Sequence, residues 1–594
     1  MNKITKLFAV SLISTLIGGS GIFCASAGAA PLVATSDAAS AETSTSTITY
    51  PYYGFVENPD DPWESVYDAL DETGTVEYSD DFFMVPSPGD HPRLRALSYA
   101  LALAGFENEA DGYPSDDDTP NPKLTKMLNE MGFSDYEYWD LASDPDGHSM
   151  GTTIGHKTLP NGQELVVIAP RNYNYLTEWI SNLNVGTSGD HNGFAEAAGL
   201  IVDRFTDYVT SRDLKNYKVW VTGYSRGGAV TDLFAKYINE SIENYDFAPD
   251  DFYAYTFGAP KASITETRFS NIHDVKDGDD LLLGYVFPEK WGFHNTGTYE
   301  EISPADLVIS TSIVDITDIA DSSRVMNLFF GNPELTKKVG EMNGREFMDA
   351  WMDFVIDNGL TRDYFNSEVR PPLSAFLKAY QTRPIDKQDA LLNFFIDSEH
   401  GLAAMIKGKV IEDLTSGNYP GDTVAAVLDN FPTYRDIVKL LKGTATSADI
   451  DELAAKLTSY LGEYSEYESL WGTPGITEVE FAVIKTNLPL LVKALAPIVN
   501  SDAAYTQATY GEDSSLFYAY TLGSNATDLV YGHIPESIMP LLKSLIPTDL
   551  PGTPETGAST SVAQGSSASI YVAVAFVTVT TMLGSSMILI RRRR

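Results

Sequence analysis

Between Lys218 and Ile238 the chain changes its hydrophobic period once, and the change falls on Gly223-Tyr224-Ser225-Arg226-Gly227. Upstream, Val219-Trp220-Val221-Thr222 is a β-branched and aromatic run of the kind that forms a buried strand. Downstream, Val230, Leu233, Phe234, Tyr237 and Ile238 recur at helical spacing. A strand that passes into a helix through Gly-x-Ser-x-Gly has one compact solution. The turn is sharp, the glycines let strand and helix approach, and Ser225 sits at the tip with its hydroxyl exposed and the helix N-terminus beneath it. Gly147-His148-Ser149-Met150-Gly151 has the same spelling but the wrong context. It follows the loop-forming Ser143-Asp144-Pro145-Asp146 and precedes Thr152-Thr153-Ile154 rather than a helix, so Ser149 is read as a coincidence.

Around this turn the pattern alternates. Helices are expected over His91–Leu103, Leu124–Met131 and Ala195–Tyr208. Thr153–Leu159 and Glu164–Ala169 flank Asn161-Gly162, the strongest short hairpin sequence, and Glu164–Ala169 reads as a central strand. Asp251–Phe257 and Arg268–Val275 read as further strands. The expected fold is α/β, with a mostly parallel sheet. From 302 to 501 the chain changes to long amphipathic runs, among them Phe347–Asp357, Leu373–Ala379 and Ile450–Tyr460, read as a large helical insertion or cap. Leu516–Leu522 would be a late strand back in the core, before a helix over Ser537–Leu545. Asn58–Asp81 is acidic and mixed, with no element assigned.

A serine hydroxyl needs a histidine to take its proton and a carboxylate to orient the histidine. In this strand–turn–helix setting the partners follow in the order acid, then histidine. Asp277, Asp279 and Asp280 lie just past the strand Arg268–Val275, where an acid-bearing loop belongs. Of eight histidines, only His273, His294, His400 and His533 follow Ser225. His273 falls inside a strand pattern and reads as a core residue; His400 falls in the insertion. His294 follows Trp291-Gly292-Phe293, close to the acid loop. His533 stands in the loop before the last helix and is the leading candidate for the base, with His294 the alternative. An oxyanion hole needs two backbone N–H groups. Arg226 supplies one; Pro170 cannot supply the other, which leaves Asn172 or Tyr173 in the loop after the strand Glu164–Ala169.

Taken in order, these pieces resemble the class 3 (fungal-type) lipase domain in its bacterial form. Val166-Val167-Ile168-Ala169-Pro170-Arg171 is similar to the family's strand leading into the oxyanion loop. Glu178–Leu183 and His191-Asn192-Gly193-Phe194 resemble the segments after it. Gly223–Gly228 matches the elbow, Tyr255–Pro260 the next strand and turn, and Asn271–Leu282 the acid-bearing segment. The resemblance covers roughly Tyr78–Thr298 and the piece around His533. It implies an α/β-hydrolase fold and a carboxylic ester hydrolase with a lipid or other ester substrate and no metal or organic cofactor. It favours Asp280 as the acid, fits His533 as the base, and makes His191 structural.

The two ends address the protein. Lys3 and Lys6, the apolar Leu7–Phe23 and the small residues at 25–29 read as a secretory signal peptide over 1–29. The single cysteine, Cys24, lies inside it, so a mature chain has no thiol for catalysis, disulfides or metal. Residues 30–48 read as a disordered linker, 49–301 as the first part of the hydrolase core, 302–501 as the insertion and 502–548 as the return to the core. Thr553-Pro554-Glu555-Thr556-Gly557, in a linker over 549–567, precedes an apolar span and Arg tail over 568–594. This resembles a Gram-positive cell-wall sorting signal, which implies a sortase and peptidoglycan as partners. An uncut span would hold the chain in the membrane. Net charge is −42 over 594 residues, and removing the six basic residues of the two ends takes it to −48. A body so acidic excludes nucleic acid as a partner. A non-catalytic surface adhesin or scaffold on the same fold is the alternative reading.

Overall fold

The computed structural model describes residues 45–55, 69–89, 91–105, 122–139, 150–170, 181–277, 280, 287–302, 356–357, 359–381, 435–436, 439–440, 442–465, 477–510 and 535–547. The two terminal signals, Ser149, Asn172, Tyr173, Asp279, His400, Leu516–Leu522 and His533 lie outside the described residues.

Seven strands form the main sheet: β3 (Ser134–Trp139), β4 (Thr152–Thr158), β5 (Glu164–Pro170), β6 (Lys218–Tyr224), β7 (Phe252–Phe257), β8 (Phe269–Lys276) and β9 (Gly297–Glu301). Their order in space is their order in sequence. β3, β4 and β5 are antiparallel, the last two joined by the expected Asn-Gly hairpin with Gly162 at φ 84°. β5 to β9 are parallel. The sequence reading missed β3 and β9, both short and partly exposed, with little of the apolar run that marks a central strand.

This strand order dictates where helices go. α3 (Asn192–Ser211) links β5 to β6, and α4 (Arg226–Glu240) links β6 to β7. Parallel crossovers are right-handed, and both step the same way across the sheet, so both helices cover the same face. There Phe194, Ile201, Phe205, Val230, Leu233 and Phe234 pack on Val166, Ile168, Val219, Val221, Ala254 and Ile272. The strand period of two sends Leu165, Val167, Trp220, Tyr253, Tyr255 and Phe257 to the other face.

Among the described residues that second face has no crossover helix of its own, and it is covered by the ends of the described chain. A hairpin of β1 (Ser46–Phe55) and β2 (Ala69–Tyr78), α1 (Pro92–Ala104), α2 (Pro122–Glu130) and the late helix α8 (Pro535–Ser544) share one core with it. β1 begins inside the stretch expected to be a linker, and β2 lies within the acidic stretch left unassigned. β2 was illegible because Asp71, Glu72 and Glu77 interrupt its apolar positions. Phe83, fully buried, packs its ring 5.2 Å from Trp220 and 5.5 Å edge-on from Tyr253.

The described parts of the insertion are helical: a short turn from Arg362 that widens at Phe365–Val369 and runs into α5 (Arg370–Gln381), then α6 (Ser447–Tyr460) and α7 (Glu478–Tyr510). The segment Glu478–Ile498 of α7 is long and apolar enough to cross a membrane, yet half of it is buried inside the fold. It packs against α5 and α6 as a core helix.

Replacing Phe83 by alanine empties a filled site between β6 and β7 and is expected to destabilise the fold by about 3–5 kcal/mol. Guanidinium unfolding would read this as a lower midpoint at unchanged slope. An unchanged midpoint would show that the segment before α1 is no part of this core.

Candidate active site

β6 is buried along its whole length and ends at Tyr224; α4 begins at Arg226. Ser225 joins them at φ 55° and ψ −124°, a conformation that side-chain-bearing residues avoid and that costs on the order of 1–3 kcal/mol. The neighbours enforce it. A Cβ on Gly223 would lie 2.1 Å from the Gly227 carbonyl oxygen, and one on Gly228 would lie 2.9 Å from Ala259 Cβ. The Ser225 amide donates to Phe257 O at 2.9 Å, so the turn is also tied to the end of β7. Serine in this position ordinarily caps a helix by accepting an amide hydrogen bond. Here the side chain makes no capping bond. The first-turn amides of α4 have no partner within the helix. A mostly parallel sheet with this serine turn at its C-terminal edge is the α/β-hydrolase fold. One expectation fails: Ser225 is not an open tip, only 8% of it being exposed. The turn that follows β7, Gly258-Ala259-Pro260, is buried on the same edge.

Asp277 and Asp280 follow β8 on that edge, both buried, and the Asp280 amide donates to Asp277 O at 3.0 Å. β7 alone separates β6 from β8, which sets their backbones about 10 Å apart, a gap of the size an imidazole bridges.

Five histidines are described. His91 precedes α1, with Nε2 3.3 Å from Pro86 O. His156 on β4 has Nδ1 2.8 Å from the Tyr208 hydroxyl. His273, as expected, is a core residue: Nδ1 meets Glu300 Oε1 at 2.6 Å, Nε2 meets Ser87 O at 2.7 Å, and the ring stacks on Tyr255. His294 pairs through its backbone with Ser263, and its ring lies near Glu289. His191 is fully buried. Its Nδ1 accepts from the Phe194 amide and its Nε2 meets Asn182 O at 3.1 Å, which fixes the tautomer as Nε2–H. Burial, aided by the Arg226 and Arg362 charges, lowers it to about 3, so it stays neutral at any working pH. His191 is structural, as the resemblance implied.

Sequence reasoning missed the side chain of Arg226. Fully buried, it lies 5.7 Å from the centre of the Phe194 ring. Its Nε donates to Asn182 Oδ1 at 2.9 Å and its Nη2 to Ser181 Oγ at 2.5 Å. An arginine inside an otherwise apolar helix start was the available sign. Asp190 was also missed. It accepts from Lys236 Nζ (2.7 Å), Tyr237 OH (3.0 Å), Ser263 Oγ (3.1 Å) and the Ile264 amide (2.9 Å). Burial pushes its carboxyl up, but these donors outweigh burial and hold it below the usual range. No group of three His, Cys, Asp or Glu suited to a metal ion occurs among the described residues.

The family model for lipase (class 3) matches residues 173–282, from the loop after β5 through α3, the serine turn, α4, β7 and β8 to just past Asp280. Several solved structures are similar. One is a triacylglycerol lipase whose catalytic centre is formed by a serine protease triad: 17% identity, 37% of this chain and 83% of that chain covered, TM-score 0.26. Lipase from Rhizopus microsporus var. chinensis shows 18% identity, 36% and 75% coverage and a TM-score of 0.25. Lipase II from Rhizopus niveus shows 15%, 38% and 81%, and 0.24. No curated protein matches the chain.

Behind the serine turn lies a buried carboxylate pair. Asp232, two turns into α4, accepts from the Thr296 amide at 3.0 Å and from Thr296 Oγ1 at 2.9 Å. Asp274 on β8 accepts from Thr256 Oγ1 at 3.1 Å and lies 3.5 Å from Lys276 Nζ. Burial, then repulsion from Asp274, raises Asp232 to about 7. The folded state therefore keeps a proton that the unfolded chain releases near the ordinary carboxylate value. Stability attributable to this group is undiminished below about pH 4, falls as pH rises from there to about 7, and stays reduced above, by at most about 4 kcal/mol. Asp232→Asn keeps an acceptor for Thr296 without the charge. Its melting temperature relative to wild type is expected to rise between pH 5 and pH 7.5, and thermal scans across that range would read it. A difference that does not vary with pH would mean that Asp232 does not titrate there.

Proposed function

We propose that the chain is a serine ester hydrolase of lipase type, acting on a lipid or other carboxylic ester. One observation supports this above the others: Ser225 is held in a strained turn at the C-terminal edge of the parallel sheet, within the stretch that matches the class 3 lipase family. Serine spent on helix capping needs no such strain; a displayed nucleophile does.

In this reading Ser225 Oγ attacks the ester carbonyl carbon while a histidine takes its proton. The Arg226 amide and an amide from the Asn172/Tyr173 loop hold the oxyanion, with the α4 N-terminus behind them. The carbonyl re-forms, the alcohol leaves with the proton from the histidine, and water cleaves the acyl-enzyme by the same steps in reverse order of roles. His533 is the base and Asp280 its orienting acid. Four of the five described histidines are otherwise occupied: His191 is held neutral, both ring nitrogens of His273 are engaged, and His91 and His156 are bonded on other elements; His294 is the alternative base. The large helical insertion forms the cap. The two terminal signals place the body outside the cell, joined to peptidoglycan by a sortase at Thr556 or held by the C-terminal span.

The full chain is expected to hydrolyse p-nitrophenyl esters and to be labelled at Ser225 by a fluorophosphonate. Ser225→Ala should lose both. His533→Gln and Asp280→Asn should each lower kcat by roughly 10³-fold or more while the fold melts normally. Absence of labelling in a folded wild-type chain would leave a non-catalytic surface scaffold, a reading the low exposure of Ser225 also suits. For the address, mass spectrometry of muramidase-released protein should find a chain ending at Thr556; an intact C-terminal span would mean that sorting does not occur.

A further inference from the structure

The helical insertion meets the hydrolase core at the 181–189 loop. Gly186 and Gly189 take φ of 65° and 74°, which turns the loop's carbonyls toward a common point. Arg362 of the insertion occupies that point. Its Nε donates to Gly186 O at 2.7 Å, and its Nη2 donates to Val185 O at 2.5 Å and to Gly189 O at 3.1 Å. The guanidinium lies 4.3 Å from the centre of the Phe293 ring. Asn366, one turn on, adds a second donor to Gly186 O at 2.7 Å. Trp291 Nε1 donates back across the junction to Leu360 O at 2.8 Å. Under these bonds Val185, Trp291 and Phe293 pack with Leu360, Phe365 and Leu495.

The other end of the same loop holds the residue after the nucleophile. Ser181 and Asn182 accept from the Arg226 guanidinium, and the Asn182 carbonyl meets His191 Nε2 at the start of α3. Between the two ends the loop has no slack. The Gly193 amide donates to Asn184 O at 3.0 Å, and a Cβ on Gly193 would lie 2.0 Å from Ser181 O. A planar fork with several fixed donors can satisfy three converging carbonyls at once; an ammonium, a single point of charge, cannot hold the same geometry.

We propose that Arg362 is a positioning residue for ester hydrolysis at Ser225: through its guanidinium the insertion fixes the 181–189 loop, and the loop fixes Arg226 behind the nucleophile. This rests on the hydrolase reading given above. It makes this end of the insertion a fixed wall of the site rather than a swinging cover. Arg362 touches no reacting atom. It acts on the placement of the Arg226 amide, where a displacement of about 1 Å is enough to slow an acyl transfer up to 10²-fold.

The test uses the full chain, with p-nitrophenyl butyrate turnover, the second-order rate of fluorophosphonate labelling and the melting temperature measured side by side. Arg362→Gln is expected to lower kcat and labelling rate on the order of tenfold, with KM changed less than about twofold, at a temperature well below its melting point. Arg362→Lys should recover only part of the loss. Lys290→Ala removes the exposed ion pair with Asp357 at the same junction and should change neither rate. If Arg362→Gln does not fold, Asn366→Ala carries the same test with a loss of about threefold. A lower melting temperature with wild-type kcat and labelling rate overturns the proposal and leaves Arg362 a structural anchor. A wild-type chain that neither turns over nor labels overturns the hydrolase reading itself, and this inference with it.

Discussion

Where β6 crosses α4 there is no space for a side chain on Gly223, because the Gly227 carbonyl already occupies it. Strand and helix can come that close only if the single residue between them reverses direction within one set of dihedrals. Ser225 therefore takes a conformation that costs on the order of 1–3 kcal/mol. Such strain persists only where its surroundings over-determine it. They do so here through a relay of backbone bonds along the sheet's edge. The Ser225 amide is held by Phe257, the Gly258 amide by Val275 at 3.0 Å, and the Ile302 amide by Lys276 at 3.0 Å. The turns past β6 and β7 are each pinned to the next strand, and the residue after β9 is tied back to the end of β8. The serine turn is thereby tied to the end of β7, and the end of β7 to β8.

The strand order has a second consequence. With every parallel crossover stepping one way, the helices that follow the sheet can cover only one face. The other face carries Trp220, Tyr253, Tyr255 and Phe257, far too much apolar surface to leave in water. It is closed by the chain before the sheet and by α8 long after it. Ile538, Met539 and Leu542 of α8 are buried beside α1 and β1. The return of the chain at Pro535 is thus a requirement of the core itself, independent of any chemistry, and an insertion of any length can stand between β9 and that return so long as α8 still docks.

Most of this was legible wherever one physical effect dominated. Val219–Thr222 and Glu164–Ala169 are buried on both faces, so their apolar runs named them as strands. Asn161-Gly162 named its hairpin by the left-handed glycine it needs. The serine turn was read from the switch of period, and its glycines from steric necessity. β2, β3 and β9 were not legible, because a half-exposed strand with charged residues on its open face has no dominant period. The exposure of Ser225 was misjudged for a different reason. Local sequence fixes the dihedrals of a turn, while its burial depends on segments distant in the chain, including the turn past β7. Arg226 was read for its backbone amide alone and Asp232 was given no reading, because what each buried side chain bonds to is tertiary information that no local window contains.

Those buried charges decide the field at the serine. The body's net charge is strongly negative, yet charges spread over a surface act through water and salt that screen them beyond about 8 Å. Groups inside the fold are not screened in this way. The buried Arg226 and half-buried Arg362 both contribute to holding His191 neutral. Asp190 is answered by Lys236 and by the amide of Ile264, and Glu300 by Arg95 and His273. Asp232 is driven toward its neutral form. Asp190 and Glu300 are thus paired and Asp232 is discharged, and the first turn of α4 adds its own partial positive charge at Ser225. A negative charge developing at the start of α4 meets that partial positive charge inside an acidic protein, because position and burial, not net charge, weigh most on the field at a site.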